Sequence, residues 1–270
     1  MLKKRIVSSL AVAGIVFSII FIMPNWVYCL LVTTMVGISL SEFFELAGKK
    51  GIFIYKYFGI ATGMLLPIVV FLQMGIDGFG MMAPFYIVLA CLFTFVLQIT
   101  RRGGSSNPLV SIAVTMFGLL YISWFFSFFI NLKFMAHGEI LILYLILVTK
   151  SNDIGAFFIG RSFGKHSLIP RISPKKTVEG TVGGIVTGCC VSLASKAYMS
   201  GFSWGQLCVL GVLLGVLGQV GDLAESLVKR DCGVKDSGRK LPGYGGMLDM
   251  LDSLFFTTPI FYFYMRVLVR

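Results

Sequence analysis

The sequence predicts an all-α fold: a polytopic integral membrane helical bundle of about nine transmembrane helices. Three observations predict it. Hydrophobic residues make up 57% of the 270 and charged residues only 13%, with 25 Phe and a mean hydropathy of +0.89, whereas soluble domains carry about a quarter charged residues. Nine apolar runs approach the ~20 residues that a helix needs to cross a bilayer. The basic residues alternate along the chain: successive odd-numbered loops carry three, three, two, five and five, or 18 in all, against four in the intervening loops and the C-terminus. That asymmetry is the positive-inside pattern, with the N-terminus and the charged loops cytoplasmic.

In chain order the spans are Ile6–Met23, Trp26–Glu45, Tyr57–Met74, Met81–Ile99, Leu109–Leu132, Ile140–Ile159, Thr181–Met199, Gln206–Gly221 and Gly246–Met265. They use most of the chain, so the expectation is one integral membrane domain over 1–270, with N-terminal helices at about 6–132 and a catalytic C-terminal half at about 140–265. Lys3, Lys4 and Arg5 precede the first run, but Met23-Pro24-Asn25-Trp26 has no small-residue cleavage site, and the run reads as an uncleaved helix. The net charge of +11 sits in short loops where the insertion rule accounts for it, which argues against nucleic acid as a partner. The six cysteines show no metal-ligand or disulfide spacing.

The first five spans carry little chemistry. Glu42, Glu45 and Lys49 read as an interfacial ion pair at the end of a helix, with a minor site role as the alternative. Lys133 and Lys196 lie outside the charged face, and replacing them is expected to do little. The sixth span is interrupted by Lys150, Asn152 and Asp153, and ionisable groups inside a span are costly unless they face a partner or a wet cavity. Asp153 is therefore a site candidate; a plain Lys150–Asp153 pair at i, i+3 is the alternative. Ser173-Pro174-Lys175-Lys176-Thr177 then enters the glycine-rich start of the seventh span. Hydroxyls, lysines and free helix N-terminal amides suit a polyphosphate, although positive-inside charge with Ser173 or Thr177 as a cap explains the same residues.

The eighth span repeats Gly211, Gly215, Gly218 and Gly221 at three- and four-residue spacing, a stripe that permits close helix packing and also admits a homodimer. It delivers Asp222, Glu225 and Ser226 to the cytoplasmic boundary, where the ninth span begins with Asp249 and Asp252 on one face. Residues 221–252 hold five basic and six acidic side chains in all. Because one span arrives at this boundary and the next leaves from it, the three aspartates can converge. Carboxylates with substrate phosphates are the usual hold on Mg²⁺ or another divalent cation; a buried Asp network with Lys229 and Arg230 and no chemistry is the competing account.

Ser226-Leu227-Val228-Lys229-Arg230, Lys235-Asp236, Pro242, Gly245-Gly246, Asp249 and Asp252 together resemble the signature of the phosphatidate cytidylyltransferase family, also called CDP-diacylglycerol synthases. The Asp153 segment through Gly164-Lys165 and the Ser173–Gly180 segment resemble it too. Four positions depart: Tyr244 stands where the family has His, Met250 where it has Arg, Val178 for a common Trp and Phe157 for a common Tyr.

The resemblance implies CMP transfer from CTP to phosphatidic acid in phospholipid biosynthesis, in the bilayer of the inner (cytoplasmic) membrane, with the active site facing the cytoplasm. It implies Asp222, Asp249 and Asp252 as metal ligands. Lys229, Arg230, Lys235, Asp236, Asp153 and Glu225 become catalytic candidates, and Ser173, Lys175, Lys176, Thr177, Ser226 and Tyr244 substrate-binding ones. A cytidylyltransferase or CTP-dependent kinase for another membrane lipid would share this charge pattern. A transporter would instead place ionisable residues near the midplane, commonly in two repeated halves, and no convincing repeat is visible.

Overall fold

The computed structural model describes residues 14–75, 80–101, 107–238 and 245–268. Residues 14–21 are helical, and eight labelled helices follow: α1 (Asn25–Gly48), α2 (Lys56–Gly75), α3 (Met82–Thr100), α4 (Pro108–Lys133), α5 (Gly138–Phe163), α6 (Val178–Ala194), α7 (Trp204–Asp231) and α8 (Met247–Leu268). Among the described residues, seven helices, α1 to α7, are long and apolar enough to cross a membrane. The all-α polytopic class is therefore as the sequence predicts. The start of the first run and Arg239, Lys240 and Tyr244 lie outside the described residues.

The chain divides into two compact units. The first comprises residues 1–139 and 238–247 and contains α1 to α4. Its core is aliphatic and aromatic: Val36, Leu40, Ile122, Ile130 and Leu132 are fully buried, with Phe44 almost so. Phe44 occupies the space left by missing side chains, because a Cβ on Gly59 would come within 2.6 Å of its ring. Within α4, Pro108 starts the helix at a position where its absent N–H costs nothing, and Leu119–Trp124 widens into a π-helical segment.

Lys133, at the end of α4, departs from the expectation of a dispensable loop residue. Its side chain is 4% exposed; Nζ lies 2.7 Å from Glu139 Oε1 and donates to Ile20 O at 2.5 Å. Lys196, in the second unit, donates to the carbonyls of Ser200 and Phe202 and closes the turn before α7. Both lysines satisfy local carbonyls. Lys133→Met is expected to destabilise by about 2 kcal/mol, less than a fully buried pair because Glu139 is 38% exposed. Thermal unfolding in detergent should show a midpoint about 5 °C lower, and an unchanged midpoint would remove this structural role.

The second unit comprises residues 140–237 and 248–270. Here α6 and α7 lie so close that a Cβ on Gly211 would stand 2.7 Å from Cys189 Cα, and one on Gly221 would stand 2.6 Å from Asp252 O of α8. The small-residue stripe is thus spent on packing within the chain. A capping box starts α7: Ser203 Oγ accepts from Gln206 N at 3.2 Å, and Gln206 Oε1 accepts from Ser203 N at 2.7 Å.

Between α5 and α6 the chain forms a two-stranded antiparallel hairpin, β1 (Ser167–Ile169) and β2 (Ser173–Thr177). The sequence does not announce it, since Pro174 and two lysines erase the period-2 pattern of a strand. Glu179 clamps its base by accepting from the Lys165 and His166 amides at 3.1 and 3.2 Å and pairing with His166 Nδ1 at 2.5 Å.

Candidate active site

Within the second unit, α5, β2, the start of α6 and α7 enclose a cavity of about 540 Å³. Six of the predicted site or flanking residues line it: Asp153, Arg161, Lys175, Lys176, Thr177 and Asp222. Each arrives for a local reason. Thr177 caps α6, its Oγ1 accepting from Gly180 N at 3.1 Å, and this cap places Lys175 and Lys176 immediately before a helix N-terminus, where free amides and the helix dipole favour an anion. Gly160 permits close approach, because a Cβ there would stand 3.3 Å from Gly180 Cα.

Beside the cavity stands a cluster of three carboxylates. Asp222, Glu225 and Asp252 each offer an oxygen, all within 4.8 Å of one another. Asp222 and Glu225 share a face of α7 one turn apart, and Asp252 joins them because Gly221 lets α8 approach. Glu225 is fully buried and Asp252 is 8% exposed. Two like charges at this separation repel by ~3 kcal/mol at an effective dielectric of 20. Lys176 Nζ lies 2.5 Å from Asp222 Oδ2, and Lys229 pairs with Glu225.

Glu225 Oε2 pairs with Lys229, while the buried Oε1 accepts no hydrogen bond. Hard oxygen donors at this spacing, with lone pairs still free of hydrogen bonds, fit a divalent ion such as Mg²⁺. The acidic cluster can therefore hold a metal.

Asp249 occupies a different position from its two predicted partners. Its Oδ1 accepts from Lys229 at 2.6 Å, and its Oδ2 accepts from Ser237 N and Oγ at 3.0 and 2.8 Å. Lys229 thus bridges Glu225 of the cluster to Asp249, and Asp249 ties down the segment after α7. Ser226 is buried one residue from Glu225. Arg230 is exposed and braces the hairpin turn, donating from Nε to Ile172 O and from Nη1 to Val234 O, both at 3.2 Å. Lys235 and Asp236 are exposed beyond the end of α7, and Ser173 is half-buried at the start of β2. Tyr244 lies outside the described residues.

Two features were missed at the level of sequence. The first is the reach of Lys150. Besides Asp153 Oδ2 at 3.2 Å, its ammonium donates to Met250 O at 2.9 Å and Ser253 Oγ at 3.0 Å, while Ser253 also donates to Asp153 Oδ2 at 3.0 Å. The i, i+3 pair therefore exists and extends into a network that joins the cavity wall to α8, placing a fixed positive charge beside the backbone of Met250. The second is Gln219, which lines the cavity one turn before Asp222; nothing in its sequence context marked it.

Comparison with known proteins identifies the family of the chain. The model of the "Cytidylyltransferase family" matches residues 3–268. A protein of Bacillus subtilis named "Phosphatidate cytidylyltransferase" is 33% identical over 267 residues, covering 97% of each chain. One of the same name from Staphylococcus aureus is 39% identical over 174 residues, 64% of this chain and 66% of that protein. A protein of Escherichia coli named "Uncharacterized protein YnbB" is 39% identical over 153 residues, 57% of this chain, and the match spans about half (51%) of that protein's length. With the family model matched almost end to end, the chain belongs to the cytidylyltransferase family.

Proposed function

We propose that this protein transfers CMP from CTP to phosphatidic acid, giving CDP-diacylglycerol and pyrophosphate. The observation that carries the reading is the convergence of Lys175, Lys176 and the capped N-terminus of α6 around one cavity with Asp222, which joins the Glu225 and Asp252 carboxylates in a cluster beside it. That arrangement suits two phosphorylated substrates. Family membership and the name carried by the full-length Bacillus subtilis relative supply the reaction class and the lipid.

An oxygen of the phosphatidate monoester attacks the α-phosphorus of CTP, a new P–O–P link forms, and the bond to the β-phosphate oxygen breaks as pyrophosphate leaves. The nucleophile is already an anion, so the residues need not remove a proton. Their work is positioning and charge neutralisation. Lys175, Lys176 and Arg161 draw the phosphates to the N-terminus of α6, and Lys229 holds Glu225 and Asp249 in register. Bound at Asp222, Glu225 and Asp252, a divalent cation such as Mg²⁺ would neutralise charge on the nucleotide phosphates and the leaving group. Lys150 and Ser253 fix Asp153 at the cavity wall. Asp249, by this reading, acts by positioning Lys229. Arg230, Lys235, Asp236, Ser173 and Ser226 frame the same end of α7 and β2, Tyr244 retains its place as a substrate contact, and the single-domain organisation stands as part of the proposal.

The 18-to-4 division of basic residues supports a cytoplasmic face for this end of the helices and an inner-membrane location. A nucleotide would then enter from water and a lipid sideways from the bilayer.

The test is to incubate the purified protein with phosphatidic acid, CTP labelled in the cytidine and Mg²⁺, with and without a chelator. Label should appear in a lipid with equimolar pyrophosphate, and the chelator should abolish it. Folded protein that yields no labelled lipid would overturn the proposal.

A further inference from the structure

We propose that the Gln219 carboxamide reads an ester carbonyl of the lipid substrate, an assignment that rests on the reaction proposed above. Gln219 is 6% exposed and lines the cavity, yet its amide forms no hydrogen bond among the described residues. Buried polar groups of folded proteins almost always have partners, so an amide left open toward a cavity marks a place for a ligand's hydrogen-bonding group.

Depth along the helices says which group. Gln219 precedes Asp222 on α7 by one turn, about 4.5 Å. On α5 Asp153 precedes Arg161 by eight residues, about 12 Å. The cavity therefore runs from the cations Arg161, Lys175 and Lys176, at the ends of the helices, to Asp153 and Gln219 farther within the span. A glycerolipid has the same order: phosphate outermost, then glycerol, then ester carbonyls, then chains. When the cations hold its phosphate, a carbonyl falls about one turn deeper, at the level of the Gln219 N–H donors. Beside it Phe157, 60% exposed on α5, gives the wall an apolar side along which acyl chains can leave. Carbonyl oxygens only accept hydrogen bonds, and the Gln219 NH₂ donates.

The discriminating experiment compares diacyl phosphatidic acid with a dialkyl-ether analogue of equal chain length, which keeps the phosphate and chains and lacks the carbonyls. In wild-type protein the diacyl lipid should show a KM about tenfold lower, the worth of one good hydrogen bond. Gln219→Met should raise the diacyl KM about tenfold while leaving the KM for the ether lipid and for CTP unchanged, which removes the preference. A rise in the KM for CTP would assign Gln219 to the nucleotide and overturn the proposal. An equal change for both lipids, or none, would overturn it as well. If Gln219→Met fails to fold, as judged by its melting curve, Gln219→Leu must give the same selective loss. Wild-type protein that labels neither lipid would instead defeat the reaction itself, so the two failures are separable.

Discussion

Asp222→Asn is expected to lower CMP transfer about a thousandfold, equivalent to about 4 kcal/mol of lost transition-state stabilisation. Asp222 is the half-exposed member of the acidic cluster, 2.5 Å from Lys176 and lining the cavity, so its charge is the one best placed to act on a cation shared with substrate phosphates. Asn keeps the shape but cannot balance a cation. Its neutrality relieves repulsion from Glu225 and Asp252 and gives up the half-exposed pair with Lys176, two effects that oppose each other, so the melting temperature should change little while turnover collapses. Initial rates of label transfer and thermal unfolding on the same preparation test both halves. Near-normal turnover would remove Asp222 from the metal site, and parallel loss of stability and turnover would make its role structural.

Lys229→Met should show the opposite signature, with stability lost together with activity. The Lys229 side chain is 11% exposed and bridges Glu225, 1% exposed, and Asp249, 15% exposed. Removing the ammonium leaves two carboxylates without their counter-ion next to a third and a fourth, and breaking a buried pair in this way costs about 3–5 kcal/mol. A melting temperature lower by about 10 °C is expected. Adding Glu225→Gln to Lys229→Met removes one stranded charge and should recover about half of the lost stability, without recovering turnover. A double variant no more stable than Lys229→Met would show that the destabilisation does not come from the stranded Glu225 charge.

Helix existence was legible because a membrane leaves few options: about 20 apolar residues in a row must be helical when no water can satisfy the backbone. Boundaries were less so. The run Gln206–Gly221 ends where hydrophobicity ends, but α7 continues to Asp231, where Glu225 and Lys229 pair at i, i+4 and support the added turns. The hairpin before α6 escaped for a related reason: its strands are held by Glu179 and the Thr177 cap, contacts that leave no periodic pattern.

The chemistry divides in the same way. Residue types and local spacing marked the charged connection, the Ser173–Thr177 segment and the intramembrane Asp153, since a carboxylate in an apolar run is a local anomaly. They could not say which carboxylates share a site. Along the chain Asp222 and Asp249 were the leading metal candidates with Asp252 in support, yet Glu225 joins Asp222 and Asp252 while Asp249 turns to Lys229 and Ser237. That outcome depends on how closely α8 packs at Gly221 and on the rotation of α8 about its axis, both set by side chains far apart in sequence. Lys150 meets Met250 and Ser253 across 100 and 103 residues, and Gln219 acquires meaning only from the cavity it borders. The sequence by itself determined the class, the existence of most helices and the charged end of the helices, because these follow from local hydrophobicity. Only the tertiary structure decided which groups meet, because a distance between helices is fixed by packing.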